Sequence, residues 1–241
     1  MKIVGILGGM GPAAGADFVR LFVQACTIYM REAGQQVSDQ NFPEHWLAQV
    51  PIPDRSMALQ DTKTGFHQPL EPMLQSLGRL AAVGAHSVAI ACNTAHAWHA
   101  QLQSRFPQLE LLNIANEVAE KLAAQEIKEV ALLATTGTYH TGMYEQALKR
   151  QGIYCYLPNM VERDGIMRGI YKGVKANDLL LAQECFEDVV INMTQRHGDI
   201  PMILGCTEIP LALMASRVIE KKRCIDPAQI LAKALARRAY N

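Results

Sequence analysis

The stretch Lys2-Ile3-Val4-Gly5-Ile6-Leu7-Gly8-Gly9-Met10-Gly11-Pro12 decides the fold. Lys2 to Leu7 has the length and apolar character of a short buried strand, and the glycines that follow make a turn. Pro12 suits the first position of a helix, where a fixed φ helps and a missing N–H costs nothing. Strand, glycine turn and helix in that order begin a β/α unit, and the helix is expected from Pro12 to about Glu32.

Working outward, Trp46 to Val50 reads as a second strand, and Pro51 to Gly65 as an irregular polar stretch containing Pro-Ile-Pro-Asp-Arg. A loop of that length is often functional. Leu70, Met73, Leu74, Leu77 and Leu80 recur at helical spacing before an apolar strand, Ser87 to Ala91. A helix over Thr94 to Arg105, a strand at Leu109 to Asn113, a helix over Glu117 to Ala124 and a strand at Glu129 to Ala134 follow. Thr135-Thr136-Gly137-Thr138 reads as a second polar turn. A helix near Met143 to Gln151, a strand at Ile153 to Leu157, helices either side of Asn177, a strand at Met202 to Leu204 and a final helix complete the alternation. Repeated β-then-α order implies parallel sheets covered by helices.

Two internal echoes divide the chain. Val4-Gly-Ile-Leu-Gly-Gly-Met-Gly is echoed by Val130-Ala-Leu-Leu-Ala-Thr-Thr-Gly, and Val88-Ala-Ile-Ala-Cys-Asn-Thr by Met202-Ile-Leu-Gly-Cys-Thr-Glu. The expectation is an α/β protein of two pseudo-symmetric, doubly wound domains with the active site in the cleft between them. Residues 1–112 with 217–241 would form the first domain, completed by the returning tail, and 113–216 the second. Chance similarity between apolar strands is the competing explanation of the echoes.

Composition narrows the function. Hydrophobic residues make up 49% and charged residues 19%, which suits a globular chain. Lys plus Arg number 23 and Asp plus Glu number 23, so no basic field is available for nucleic acid. The N-terminal apolar run is too short for a secretory signal, and no stretch approaches the roughly 20 apolar residues that span a bilayer. A soluble cytoplasmic protein is expected, with no nucleic-acid or membrane partner. The six cysteines, 26, 92, 155, 185, 206 and 224, are widely spread without Cys-x-x-Cys spacing, which suggests neither zinc nor a redox pair.

Cys92 and Cys206 each follow a short apolar strand and precede small polar residues, where ligands gather in open α/β sheets. Helix-end amides there would favour a thiolate. Each thiol has another reading as an inert buried cysteine, and one thiol could instead be a nucleophile with an activating base, for which His96 lies close in sequence to Cys92. A pair in echoing contexts has a distinct use. Removing an α-proton leaves a nearly planar carbanion, and inversion needs an acid opposite the base, so one thiolate and one thiol can exchange roles with substrate handedness.

Six motifs in order, Gly8-Gly-Met-Gly-Pro, Ile52-Pro-Asp-Arg-Ser, Cys92-Asn-Thr-Ala-His, Ala134-Thr-Thr-Gly-Thr, Met167-Arg-Gly-Ile-Tyr-Lys-Gly-Val-Lys and Gly205-Cys-Thr-Glu, resemble the aspartate racemases of the aspartate/glutamate racemase superfamily. The likeness runs from near the N-terminus through Asp226-Pro227. It implies a homodimer acting on a small dicarboxylic amino acid, interconverting L- and D-aspartate with Cys92 and Cys206 as the acid/base pair. No pyridoxal phosphate, metal or nucleotide is implied. Arg55 and Lys175 match positions associated with the substrate's carboxylates, although taken alone each would read as a solvated charge. Asn93, Thr94, Thr136, Thr138 and Thr207 are polar groups at the same rim, where turn and capping duties explain any one equally well. Met10 and Gly11 would approach the ligand through backbone, Tyr171 would close the pocket or pack in the core, and His96 and Glu208 would tune the thiols or make ordinary hydrogen bonds. Ser56 departs from the Thr frequent in related sequences, and the residues around Trp46 and Gln49 carry no usable signature.

Other functions are weighed on single features. Gly9-x-Gly11-x-x-Ala14 fits a loose dinucleotide fingerprint, but the second strand ends at Val50-Pro51 without a ribose-binding acid. A non-catalytic amino-acid sensor could keep Arg55 and the polar turns, but would have no need of two thiols. Glutamate, hydantoin and maleate-type isomerisation are nearer alternatives, since related cysteine pairs serve different acids.

Overall fold

A computed structural model describes residues 1–61, 65–213, 216 and 224–241. The first part of the expected returning tail, 217–223, lies outside the described residues, as do 62–64 of the expected polar loop. The chain divides into two compact units, Met1–Glu117 with Ala228–Asn241, and Val118–Pro227.

In the first unit, β1 (Val4–Gly8), β2 (His45–Gln49), β3 (Ser87–Ile90) and β4 (Glu110–Leu111) form a parallel sheet in the order β2-β1-β3-β4. The two inner strands β1 and β3 are buried throughout, as their unbroken apolar runs require, while the edge strand β2 leaves Trp46 and Leu47 exposed. Helix α1 (Pro12–Glu32) buries Ala14, Phe18, Leu21, Phe22, Ala25 and Met30, one stripe at helical spacing. Helix α3 (Leu70–Ala82) buries Met73, Leu77 and Leu80 in the same way.

Three local expectations need correction here. The polar stretch after Pro51 contains a helix, α2 (Arg55–Gln60), because Asp54 caps it, its carboxylate accepting from the Met57 amide at 3.0 Å. The helix expected over Thr94 to Arg105 opens as a 3₁₀ segment, Thr94–Trp98, before becoming α4 (His99–Arg105). Helix α5 (Ile114–Ala123) starts three residues early, since the Asn113 side chain accepts from the amides of Ala115 and Asn116.

In the second unit, β5 (Glu129–Ala134), β6 (Tyr154–Tyr156), β7 (Met202–Gly205) and β8 (Cys224–Ile225) take the order β6-β5-β7-β8, again parallel. Strand β8 carries no apolar run long enough to be read from sequence, and it holds the chain in this unit by pairing with β7; the return to the first unit therefore begins at Ala228. Thr135 to Thr138 is more than a turn. The Thr135 hydroxyl accepts from the Thr138 amide at 3.1 Å and caps helix α6 (Thr136–Thr141), which leads into α7 (Met143–Arg150). Helix α8 (Met160–Arg168) runs into a π-helical turn, Gly169–Gly173, and a 3₁₀ turn, Val174–Ala176, before Asn177 at φ 61° and helix α9 (Leu179–His197). Helix α10 (Glu208–Leu213) follows β7 directly.

The final helix, α11 (Pro227–Tyr240), packs on the first unit. The Lys2 amide donates to the Ala239 carbonyl at 2.7 Å, Tyr240 stacks on Tyr29 at 4.4 Å, and Arg238 meets Glu110 at 2.8 Å. Among the described residues no helix is long and apolar enough to cross a membrane.

Candidate active site

Both sheets share one topology, in which the first strand lies between the second and the third. In such sheets the loops after the first and third strands leave in opposite directions, opening a crevice at the strands' carboxyl ends. In the first unit those loops are the glycine turn after β1 and the Cys92 turn after β3; in the second they are the threonine turn after β5 and the Cys206 turn after β7. The echoed motifs thus occupy equivalent positions in the two compact units.

In the first unit the glycine turn and the Ile52-Pro-Asp-Arg segment are tied together by Arg55. This buried guanidinium donates from Nη1 to the carbonyls of Ile52 and Pro53, both at 3.0 Å, and from Nη2 to the Met10 carbonyl at 2.9 Å. Met10, Ile52 and Cys92 belong to one apolar cluster, so the three motifs share a core. Gln49, which carried no usable signal, donates from its amide to the Pro12 carbonyl at 2.9 Å and braces the start of α1.

The Cys92 turn is sharp. The Ala91 amide still pairs with the Leu7 carbonyl at 2.9 Å, but the Cys92 amide folds back on the Ile90 carbonyl at 2.8 Å, a three-residue turn. Cys92, Asn93 and Thr94 are all buried. His96 supports the turn through backbone, its Nδ1 lying 2.9 Å from the Cys92 carbonyl and 3.2 Å from that of Asn93. Burial, with a smaller contribution from neighbouring His99, pushes the His96 ring from 6.5 down to about 4, so at neutral pH it is uncharged and Nδ1 carries the donated hydrogen.

This predicts a pH dependence of stability. The folded ring's pKa lies below its unfolded value, so between pH 6.5 and 4 the unfolded chain binds a proton that the folded chain refuses, and stability is lost as pH falls through that window. The full effect is about 3 kcal/mol. Urea unfolding at pH 7 and pH 4.5 checks it: the parent should lose more stability on acidification than His96→Gln, and parallel losses would assign the acid sensitivity elsewhere.

In the second unit Thr135 and Thr138 are buried with their hydroxyls 3.1 Å apart, and the Thr136 amide donates to the Met167 sulfur at 3.4 Å. A thioether is a weak acceptor. The Tyr139 hydroxyl accepts from the Ala134 amide at 2.8 Å and donates to the Leu132 carbonyl at 3.0 Å, closing the end of β5, and the Arg163 guanidinium lies 4.5 Å over its ring. Tyr171 sits in the π-helical turn and packs against the cluster containing Cys206. Lys175 is exposed, with its ammonium 4.3 Å over the Tyr171 ring. Gly173 makes this turn possible: a Cβ there would stand 2.6 Å from the Ala182 Cβ and 2.8 Å from its Cα.

Cys206 directly follows β7 with Thr207 and Glu208 after it, all three buried. The Cys206 thiol donates to the Glu208 carboxylate at 2.9 Å, and the Thr207 hydroxyl donates to the same oxygen at 3.1 Å. Tyr144, on α7, is fully buried and electrostatically coupled to Asp226 and Cys206; burial, then those neighbours, raises its pKa well above the ordinary tyrosine range. No local pattern marks Tyr144, because its significance comes from packing alone.

Burial pushes Cys26 and Cys155 up to about 12 and raises Cys185 and Cys224, so all four are protonated thiols at neutral pH. All six are free, and among the described residues no three His, Cys, Asp or Glu side chains are grouped as metal ligands.

The sequence profile of Asp/Glu/hydantoin racemases matches residues 7–235. The chain belongs to that family. It is 22% identical over 239 residues to the broad specificity amino-acid racemase RacX of Bacillus subtilis, covering 96% of each chain. It is 32% identical over 162 residues to a glutamate racemase of Pseudomonas aeruginosa, covering 64% of this chain and 58% of that protein. Among solved structures, the aspartate racemase of Picrophilus torridus superposes with a TM-score of 0.79 at 29% identity, over 100% of this chain and 95% of that one. The two parallel α/β sheets are thus a racemase-family architecture.

Proposed function

We propose that this family member interconverts L- and D-aspartate by two-base proton transfer, Cys92 and Cys206 acting on opposite faces of the α-carbon. The observation that carries this reading is the repetition: two units of one strand order, each presenting a buried cysteine where its third strand ends, in a chain of the racemase family. A single reactive thiol would need no such duplication. In one direction the Cys92 sulfur accepts the α-proton while the Cys206 S–H bond breaks and its proton forms the new Cα–H bond; in the other the roles reverse. Arg55 and Lys175 would hold the two carboxylates, one by a planar fork and one as a point charge. Buried as it is, Arg55 would also keep the Met10 turn in place, so substrate binding and loop geometry would be coupled there.

Aspartate is favoured by the 29% identity to the Picrophilus torridus aspartate racemase along essentially the full length. A second reading, a broader or glutamate-directed racemase, is supported by the relatives in Bacillus subtilis and Pseudomonas aeruginosa. Each enantiomer of aspartate and glutamate, incubated with the protein in deuterated water and no added cofactor, separates the two readings. Aspartate should invert fastest, with deuterium appearing first in the inverted product. Faster inversion of glutamate selects the second reading, and exchange without inversion would defeat the two-base scheme.

A further inference from the structure

We propose that Glu208 is a positioning residue that holds Cys206 in its thiol form in the resting protein. As a statement about catalysis this rests on the proposed function; as a statement about the Cys206 proton it does not. The geometry is a buried pair, Sγ to Oε2 at 2.9 Å, with Glu208 only 4% and Cys206 6% exposed. One proton lies between a sulfur and a carboxylate. The sulfur is the donor and the carboxylate oxygen the acceptor, so the proton sits on the sulfur. The Thr207 hydroxyl donates to the same oxygen, as suits a carboxylate that only accepts.

The titratable groups on the elements packed around this turn do not reverse that assignment. Tyr144 on α7 is held protonated by burial and carries no charge at neutral pH. Glu187 on α9 accepts from Gln183 and Ser216, and the Lys175 ammonium lies over Tyr171. Asp226 acts electrostatically on Tyr144.

The consequence for turnover is an asymmetry. When Cys206 is the donor, its S–H proton goes to the α-carbon and leaves a thiolate beside a carboxylate, two anions in contact; regaining a proton is then favoured. When Cys206 must be the base, that unfavourable thiolate has to form first. Racemisation has an equilibrium constant of one, so kcat/KM is equal in the two directions whatever Glu208 does. The asymmetry instead separates kcat and KM between enantiomers, and removing the carboxylate should narrow that separation.

The test measures the proton on Cys206 directly. The full-length protein and Glu208→Gln are alkylated with iodoacetamide from pH 5 to pH 10, and the Cys206 peptide is followed by mass spectrometry, each rate divided by its own high-pH plateau to remove accessibility. Glutamine keeps the shape and an accepting oxygen but loses the charge. The Cys206 midpoint should fall by about one pH unit, making the normalised rate at pH 7 about tenfold faster. An unchanged or higher midpoint overturns the proposal. Protection of the buried Cys26 reports folding; if Glu208→Gln exposes it, Glu208→Asp, which withdraws the charge by one methylene, carries the test and must also lower the midpoint. A lowered midpoint in a chain that fails to invert aspartate or glutamate sinks the proposed function alone. Inversion with an unmoved midpoint sinks this inference alone.

Discussion

Cys92→Ala and Cys206→Ala should each reduce racemisation by at least about 10³-fold while leaving the fold intact. Loss of a single general acid or base costs typically 10² to 10⁴ in rate, and here each substitution leaves the reaction without a required partner on one face. The remaining sulfur could still remove or return a proton on its own side. Each single variant should therefore exchange the α-hydrogen of one enantiomer with solvent, retaining configuration, and the two variants should choose opposite enantiomers. Cys92→Ala should change stability little, whereas Cys206→Ala also removes the thiol that donates to the buried Glu208 carboxylate and should cost about 1 to 3 kcal/mol. Proton NMR in deuterated water, beside a urea titration, reads all of this. Retained inversion in either variant, or exchange of the same enantiomer by both, would count against opposed thiols.

Gly9→Ala should cost about 3 to 5 kcal/mol, a large part of a typical domain's stability. Gly9 has φ 90°, and a Cβ there would lie 2.0 Å from the Val50 carbonyl oxygen and 2.7 Å from the Val50 nitrogen. Both obstacles are backbone, so no side chain can turn aside. Gly34→Ala separates the two causes. It too has positive φ, 67°, but nothing lies within 4 Å of its added Cβ, so only the backbone preference is lost, about 1 to 2 kcal/mol. Urea midpoints for the two variants should differ by that margin. Equal losses would mean that the turn after β1 relaxes away from Val50 and that the close approach is not a constraint. Because that turn carries Met10, whose carbonyl accepts from Arg55, Gly9→Ala should also weaken substrate binding in any molecules that remain folded.

Much of this was legible before any coordinates. The unbroken apolar runs of β1, β3, β5 and β7 announce strands buried on both faces, and the stripe along α1 announces a helix with one wet side. These signals act within a few residues, as does the proline that opens α1. Short or side-chain-capped elements escaped for the converse reason. Asp54 and Thr135 turn apparent loops into helices by accepting one amide each, and the two residues of β8 are a strand only because β7 lies alongside. The departures are therefore local in extent, even though what stabilises β8 is not.

The alternation of strand and helix, the two echoing halves and the placement of Cys92 and Cys206 after apolar strands are written locally in the chain, since periodicity and glycine or proline punctuation are properties of neighbouring residues. What those residues touch is set by long-range packing. Arg55 closes on the Met10 carbonyl across 45 residues, Tyr144 on α7 comes within electrostatic range of Cys206, and His96 is neutral because the core around it excludes water. Even Glu208, two residues from Cys206, meets the sulfur because the chain turns into α10 there and buries both side chains together. Contact and dielectric depend on the packing of segments far apart in the chain, and no local pattern encodes them.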